Sequence, residues 1–260
     1  MAIHTSLYFQ AVALKVTPTY EPVGAVVDQV LGYRNAAHVP GKPMSLVALA
    51  ATGLNATLGL SGARVQSPKT LVSPVYVRPV NATANFDDNP NVSCFVDKPV
   101  MMRAGEEISA SAEVTGTGTT ADVAIVAWFC DRHEPLPAAE SYWVPFTVTL
   151  SGAALKWQTM AITFGGPPTL PAGRYAILGM HLIRPTVGKE LCGRLVIPGE
   201  SLRPGTVTSP SASARTPLLA SDGSLGVWGY FDAQLPPSLE VFSSDTLSGI
   251  LTGFLRVAQV

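Results

Sequence analysis

The residues that could carry out chemistry are few and lie far apart in the sequence. The nearest approach to a constellation is the segment "CDRHEP", where Cys130, His133 and Glu134 crowd one turn. A metal site needs three or four ligands in a defined geometry, and this segment offers no clear remaining partner. We therefore interpret it as a solvated turn at the end of a strand. His181, which lies inside an apolar run, is interpreted as a hydrogen-bonded core residue.

The sequence contains none of the common catalytic or nucleotide-binding templates. HExxH, GxSxG and the Walker-type GxxxxGK pattern are all missing from the chain. The acidic pairs Asp87-Asp88 and Glu106-Glu107 are adjacent, so on a strand their side chains would diverge. We expect no enzyme activity, and we assign no catalytic, metal-binding or cofactor-binding residue.

Aromatic residues near the C-terminal end are the candidate interaction surface. The segment "LGVWGYFD" contains Trp228, Tyr230 and Phe231. Such side chains can stack on a sugar or on a protein partner, and they can equally belong to a core. The sequence leaves both interpretations open.

The composition indicates a folded chain that associates with other chains. Only 13% of the 260 residues are charged, whereas globular proteins average about 25%. Apolar residues make up 47%, so apolar surface is expected to remain exposed, and such surface usually marks an interaction site. The formal net charge is -1 and no run of Lys or Arg occurs, so direct nucleic-acid binding is not expected.

The cysteines indicate a reducing environment. Cys94, Cys130 and Cys192 form an odd set without metal-type spacing, and no secretory signal or membrane span of about 18 apolar residues is evident. We predict that the three are buried free thiols.

Short strands dominate the sequence pattern. In "EEISASAEV" and "PFTVTLSG", apolar and polar residues alternate, which predicts one dry face and one wetter face. The runs "VAIVAWFC" and "YAILGMHLI" are apolar on both faces, which is typical of central strands covered by a second sheet or by a neighbouring subunit. Further strands are predicted at Ser6 to Val16, Ser45 to Ala51, Thr70 to Val77, Lys156 to Thr163, Leu191 to Ile197 and Ser224 to Phe231.

Helical periodicity is scarce. Residues 24–33 could form two turns, and residues 244–256 are compatible with either a helix or a strand. Residues 206–217 form a Ser-rich stretch that we interpret as a surface loop or as an arm that orders on a neighbour. Many short strands with turn signals and almost no helix predict an all-β fold of sandwich or jelly-roll type.

One local pattern occurs twice. Ala104-Gly105 and Ala172-Gly173 each precede a strand, a polar gap and a second, apolar strand at matched spacing. This is either a chance similarity between two hairpins or a duplicated β-sandwich. On the second interpretation the chain has two tandem jelly-roll or β-sandwich domains, at residues 1–135 and 143–260, joined by a Pro- and Ala-rich linker at 136–142.

The segments "LPAGRYAILG", "GRLVIPGESLRPG" and "SLGVWGYFD" give the chain a resemblance to a known family. With two tandem sandwiches and low charge, it resembles the double jelly-roll major capsid proteins of tailless icosahedral viruses, in particular bacterial viruses with an internal membrane. The resemblance implies a homotrimer whose six jelly rolls form a pseudo-hexagonal capsomer of a virion assembled in the host cytoplasm. It also implies neighbouring capsomers, other capsid proteins and the viral membrane as partners.

Two alternatives come from the same sequence features. One is a carbohydrate-binding or adhesin-type sandwich that uses Trp228 and Tyr230 as a platform. The other is a minor or vertex capsid protein of a similar virus. Neither alternative is an enzyme.

Overall fold

The computed structural model describes residues 4–15, 17–26, 37–39, 41–54, 58–67, 75–77, 92–116, 120–131, 136–165, 170–183, 191–201, 203–208 and 223–260. Within these stretches every regular element is a β-strand and none is a helix. The strands up to residue 130 are β1 (His4–Lys15), β2 (Thr17–Val23), β3 (Ala37–His38), β4 (Met44–Leu54), β5 (Leu58–Gln66), β6 (Val75–Val77), β7 (Val92–Cys94), β8 (Val100–Met102), β9 (Glu107–Gly116) and β10 (Thr120–Cys130).

The strands of the C-terminal half begin at Ser141. They are β11 (Ser141–Gly152), β12 (Gln158–Ala161), β13 (Thr163–Phe164), β14 (Arg174–Ile183), β15 (Leu191–Val196), β16 (Gly205–Val207), β17 (Gly229–Asp232), β18 (Ser238–Ser243) and β19 (Leu247–Gln259).

Alternating side chains explain why many of these segments form strands. In β9, Ile108 and Ala110 are buried whereas Glu107 and Ser109 are exposed. β11 alternates in the same way from residue 144 to residue 150. A strand turns successive side chains to opposite faces, so this pattern gives each sheet a dry inner face and a wetter outer face. The predicted alternation is confirmed in both strands.

Two sheets are built from the strands before residue 131. Sheet I has the order β2-β9-β5-β6, with β3 paired to β9, and sheet II has the order β1-β10-β4-β7, with β8 paired to β4. Leaving β3 and β8 aside and numbering the other strands from 1 to 8, the orders are 2-7-4-5 and 1-8-3-6. This is the strand order of a jelly roll, which we call the first roll.

The C-terminal half repeats this topology. Sheet III has the order β12-β18-β15-β16 and sheet IV the order β13-β11-β19-β14-β17. Without β13, the same numbering again gives 2-7-4-5 and 1-8-3-6, which defines the second roll. The predicted fold class, all-β with two tandem jelly rolls, is therefore confirmed.

The first roll has a β-bulge beside its last strand. Trp128 and Phe129 of β10 pair with Ala48 and Leu46 of β4, so Val47 is an extra residue on β4. A bulge of this kind bends the strand and increases its twist.

The second roll has a bulge at the equivalent place. Arg256 and Val257 of β19 pair with Gly179 and Ile177 of β14, which leaves Leu178 as the extra residue on β14. The shared bulge, together with the strand registers, allows positions in the two rolls to be matched residue by residue.

The four sheets stack in the order I, II, III, IV. One core lies between sheets I and II and includes Phe9, Ile125 and Phe129. A second core extends from the other face of sheet II, with Trp128, through sheet III to sheet IV, with Leu255. All residues from 123 to 130 of β10 are buried because this strand has a sheet on each side. The prediction that "VAIVAWFC" is covered on both faces is confirmed.

The predicted repeat pairs strands that are not equivalent. Ala104-Gly105 precedes β9, the seventh strand of the first roll, whereas Ala172-Gly173 precedes β14, the third strand of the second. Gly105 and Gly173 both have positive φ angles, but the values of 69° and 150° are different backbone conformations, so the two turns differ. The rolls do share a topology, but this sequence match does not reflect it, which agrees with the alternative that the similarity arose by chance.

Several other predictions are resolved or lie outside the described residues. Residues 247–259, left between helix and strand, form β19. In the range Ser224 to Phe231, strand begins only at Gly229. Most of the predicted helix at 24–33, the start of the strand at 70–77 and the Ser-rich stretch beyond residue 208 are not among the described residues. Among the described strands, no sheet has members from both sides of residues 131–140, and the division into independent domains stays a prediction.

Candidate functional site

An arginine-centred cluster lies on the face of sheet III that is turned toward the first roll. Nε of Arg194 donates to Oε2 of Glu240 at 2.6 Å, and the guanidinium carbon lies 3.9 Å from the centroid of the Trp157 ring. Arg194 is 3% exposed and Glu240 6% exposed. A buried charge needs compensation. Here the Glu240 carboxylate supplies the opposite charge, and the face of the Trp157 ring adds a cation–π contact.

Sheet II covers this cluster, and side chains of sheet II donate hydrogen bonds to backbone carbonyls of sheet III. Tyr8 Oη donates to the Gly193 carbonyl at 3.0 Å, and Trp128 Nε1 donates to the Gly205 carbonyl at 2.6 Å. Ser6 Oγ donates to the same Gly205 carbonyl at 3.1 Å and accepts from the Gly205 N–H at 2.9 Å. The junction between the two rolls is therefore tied by side chains from one roll and backbone groups from the other.

Tyr8 is a neutral donor in this junction. Burial raises its pKa well above the usual value, with the neighbouring Cys192 as the next cause. Its ring also meets Trp157 edge to face at 5.4 Å, which links it to the cluster on sheet III.

Sheet I has a cluster of the same design. Nε of Arg64 donates to Ser111 Oγ at 2.9 Å, and its guanidinium carbon lies 4.4 Å from the centroid of the Tyr20 ring. Arg64 pairs in register with Ser111, as Arg194 pairs with Glu240. Both arginines thus lie on the fourth strand of their roll and donate to the seventh.

The aromatic residues of the two clusters are equivalent as well. Tyr20 lies two residues before Pro22, which pairs with Ser111. Trp157 lies two residues before Thr159, which pairs with Glu240. The clusters differ mainly in how deeply they are buried. Tyr20 and Ser111 are half-buried, whereas Arg194 and Glu240 of the cluster on sheet III are buried.

Sheet IV carries aromatic and apolar residues on its outer face. Trp143 is 38% exposed and Ile250 is 58% exposed. Phe254 stacks on His181, with ring centroids 6.0 Å apart, and Arg256 follows on the same face of β19. Burial lowers the pKa of His181 to about 4, so its imidazole is neutral at neutral pH.

The three aromatic residues predicted as an interaction surface occupy different environments. Trp228 and Phe231 are 2% and 4% exposed and belong to the core of the second roll. Tyr230 is half-buried beneath the guanidinium group of Arg174, whose carbon lies 4.6 Å from the ring centroid. Of the three, Tyr230 alone offers substantial surface, and its role in binding stays a prediction.

Tyr230 lines an open cleft of about 310 Å³. Arg174, Glu200 and Asp232 line the same cleft, together with Leu235. This volume is at the lower end of the range for small-molecule sites, and the lining combines the aromatic residues Tyr230 and Phe231 with charged groups.

The cysteines and histidines form no chemical site in the part of the chain that the structure describes. All three cysteines are free, but Cys94 is exposed, so the prediction of a buried thiol is wrong there because Cys94 lies at the end of the edge strand β7. Burial, followed by the charge of Asp131, raises the pKa of Cys130 to about 11. His133 and Glu134 lie outside the described residues, and no described group of three His, Cys, Asp or Glu side chains could hold a metal ion.

The arginine clusters were missed in the sequence, although a signal for them existed. "GARV" and "GRLV" each put one arginine inside a largely apolar strand, at Arg64 and Arg194. A charged residue in such a position is informative because arginine is almost never fully buried unless paired.

Comparisons with known proteins leave the chain without an identified relative. No protein-family model, no curated protein and no solved structure matches it. None of the described residues belong to a helix long and apolar enough to span a membrane.

Proposed function

We propose that this chain is a structural protein that assembles with copies of itself, as the major capsid protein of an icosahedral virion. Its copies form homotrimers, and these form pseudo-hexagonal capsomers that contact each other, other capsid proteins and an internal viral membrane. The proposal combines the fold with the resemblance described above, and it assigns the chain no catalytic role.

The observation that carries this proposal is the pair of jelly rolls with one topology, packed face to face in a single chain. Because the two rolls share one topology, each chain supplies two similar units. A closed ring of three chains then contains six similar rolls and approximates sixfold symmetry. The exposed Trp143 and Ile250 on sheet IV add apolar surface of the kind that subunit interfaces cover.

The oligomeric state of the purified chain tests the proposal. Light scattering after size-exclusion chromatography should give three times the chain mass of 27.3 kDa or larger assemblies, and electron microscopy should show six-lobed particles. A stable monomer at high protein concentration would contradict the proposal.

The cleft beside Tyr230 favours a second candidate, a carbohydrate-binding module. An aromatic ring flanked by Arg174, Glu200 and Asp232 combines a stacking surface with hydrogen-bonding groups, as sugar recognition requires. A glycan-binding screen of the wild type and the Tyr230→Ala variant distinguishes the candidates. Glycan binding that is lost in Y230A, together with a monomeric wild type, would favour the module over the coat protein.

A further inference from the structure

The contact between the two rolls joins two different kinds of face. Sheet II is the 1-8-3-6 sheet of the first roll, and sheet III is the 2-7-4-5 sheet of the second. Sheets I and III are equivalent by topology, and so are sheets II and IV. Sheets II and III, one of each kind, therefore contact each other inside the chain. Sheets I and IV, again one of each kind, lie at the two ends of the stack.

We infer that sheet IV of one copy docks on sheet I of a second copy, with Tyr20, Arg64 and Ser111 at the centre of the contact. This inference rests on the proposed self-association and specifies its surfaces. The contact joins the same two kinds of sheet that meet at the junction of sheets II and III within one chain, with different side chains at the matched positions. Because it joins unlike faces, it is heterologous and builds a ring when the rotation closes.

The registers identify the residues that sheet IV contributes at the edge of the contact. In the first roll Ser6 pairs with Trp128, and in the second Trp143 pairs with Arg256. The matching bulges confirm that Trp128 and Arg256 are equivalent. Trp143 thus occupies the place of Ser6 and presents an exposed indole ring there.

The neighbouring positions follow from the same registers. Tyr8 pairs with Val126, and Pro145 pairs with Phe254. Phe254 therefore takes the place of Val126 and adds apolar area. In sheet II, Trp128 donates its indole N–H to the Gly205 carbonyl of sheet III. Its equivalent in sheet IV, Arg256, carries guanidinium N–H donors.

The charges of the two end faces complement each other. The outer face of sheet I carries Glu107 and Glu113 against Arg64, and the outer face of sheet IV carries Arg174 and Arg256 against Asp232. Opposite charges across a contact set its register and increase the association rate.

One position shows how sheet I differs from its buried counterpart. Glu113 pairs with Gly62 in sheet I, at the place where Phe242 pairs with Cys192 in sheet III. A face that stays in water until assembly is expected to carry a charge where a permanently covered face carries an aromatic ring.

Two variants that each disable one face test this inference. Glu113→Arg places a cation on sheet I against the arginines of sheet IV, and Trp143→Glu places an acid on sheet IV against the acids of sheet I. Each variant alone should be monomeric where the wild type is assembled, because its dissociation constant rises about a hundredfold or more. Mixed in equal amounts, they should form a heterodimer and nothing larger, since each retains the face that the other lacks.

Matched controls separate a local effect from a general one. Asp97→Arg and Met101→Glu make the same types of change at exposed positions away from both faces and should assemble like the wild type. Ser109→Arg and Thr149→Glu add a like charge at exposed outer positions of sheets I and IV and should repeat the result without removing Glu113 or Trp143. Circular dichroism verifies that every variant is folded.

The outcomes distinguish this inference from the proposed function. A monomeric wild type overturns the proposed function and the inference with it. An assembled wild type whose E113R and W143E variants also assemble overturns the inference alone. Folded monomeric variants that stay monomeric when mixed also overturn it, because they show that the two faces do not meet each other.

Discussion

The two arginine clusters have the same design in two different environments. On sheet III, Arg194 lies over Trp157 and binds Glu240 beneath a complete second sheet. On sheet I, Arg64 lies over Tyr20 and binds a serine on a half-exposed face.

The comparison shows how cover changes the weight of a cation's contacts. The guanidinium group of Arg64 is half-exposed and keeps part of its hydration, so its hydrogen bond to Ser111 contributes little to stability. A guanidinium group under a sheet loses that solvation and needs the full charge of Glu240. The difference separates a junction that is closed within one chain from a face that is half-exposed in that chain.

The largest effect is expected at Gly205, where the junction is tightest. A Cβ atom there would collide with the Gly193 carbonyl oxygen and Tyr8 Oη, and would lie 2.5 Å from Cα of Arg194. Gly205→Val should cost more than about 4 kcal/mol or prevent folding, because backbone atoms block the added side chain. Chemical denaturation measures the free energy of unfolding.

A neutral glycine substitution supplies the control for this prediction. Nothing lies within 4 Å of a Cβ atom built at Gly41, so Gly41→Ala should change stability by less than about 0.5 kcal/mol. The position equivalent to Gly205 in the first roll is Tyr76, which pairs with Arg64 as Gly205 pairs with Arg194. A G205V protein as stable as the wild type would show that the rolls are not tightly joined.

The sequence reveals the strands better than it reveals their partners. Alternation predicts the inner and outer faces of β9 and β11 because burial acts on every second residue. The apolar run in β10 likewise predicts cover on both sides. Which strand pairs with which depends on contacts between residues far apart in sequence, and turn chemistry such as Ala-Gly does not encode them.

The candidate faces were harder to predict than the fold for a similar reason. Arg64 and Arg194 become recognisable as equivalents only when the strand registers are known. The aromatic segment drew attention to Trp228 and Phe231, but large aromatic side chains fill cores as readily as they form surfaces. The exposed Trp143 gave no comparable signal because it is a single aromatic residue in an otherwise ordinary alternating strand.

The next largest effect should come from the two arginines themselves. Arg194→Ala leaves Glu240 buried without its partner and should cost about 3 to 5 kcal/mol. Arg64→Ala removes a half-exposed contact and should cost less than about 1 kcal/mol. Urea denaturation of both variants at low protein concentration, where assembly does not contribute, measures this contrast.

A double substitution separates charge burial from packing at the same site. Arg194→Met combined with Glu240→Leu removes both charges and keeps most of the volume, so it should recover most of the stability lost in R194A. Equal losses in R194A and R64A would contradict the claim that cover distinguishes the two clusters.

The smallest effect should be the pH dependence contributed by His181 on sheet IV. Burial lowers its pKa from 6.5 to about 4 in the folded chain, so between these values the unfolded chain binds the proton more readily. Its contribution is therefore constant above pH 6.5 and falls by roughly 3 kcal/mol as the pH drops toward 4. His181→Gln should remove this part of the pH dependence when unfolding is measured at pH 7.5, 5.5 and 4.5.

This pH dependence also sharpens the comparison between the end faces. If a second copy covers sheet IV, it buries His181 further, and additional burial lowers the pKa of an imidazole further. The assembled wild type should then lose more stability between pH 6.5 and 4 than the monomeric W143E variant does. An identical loss in both proteins would mean that His181 lies outside the contact, because its protonation would then be independent of assembly.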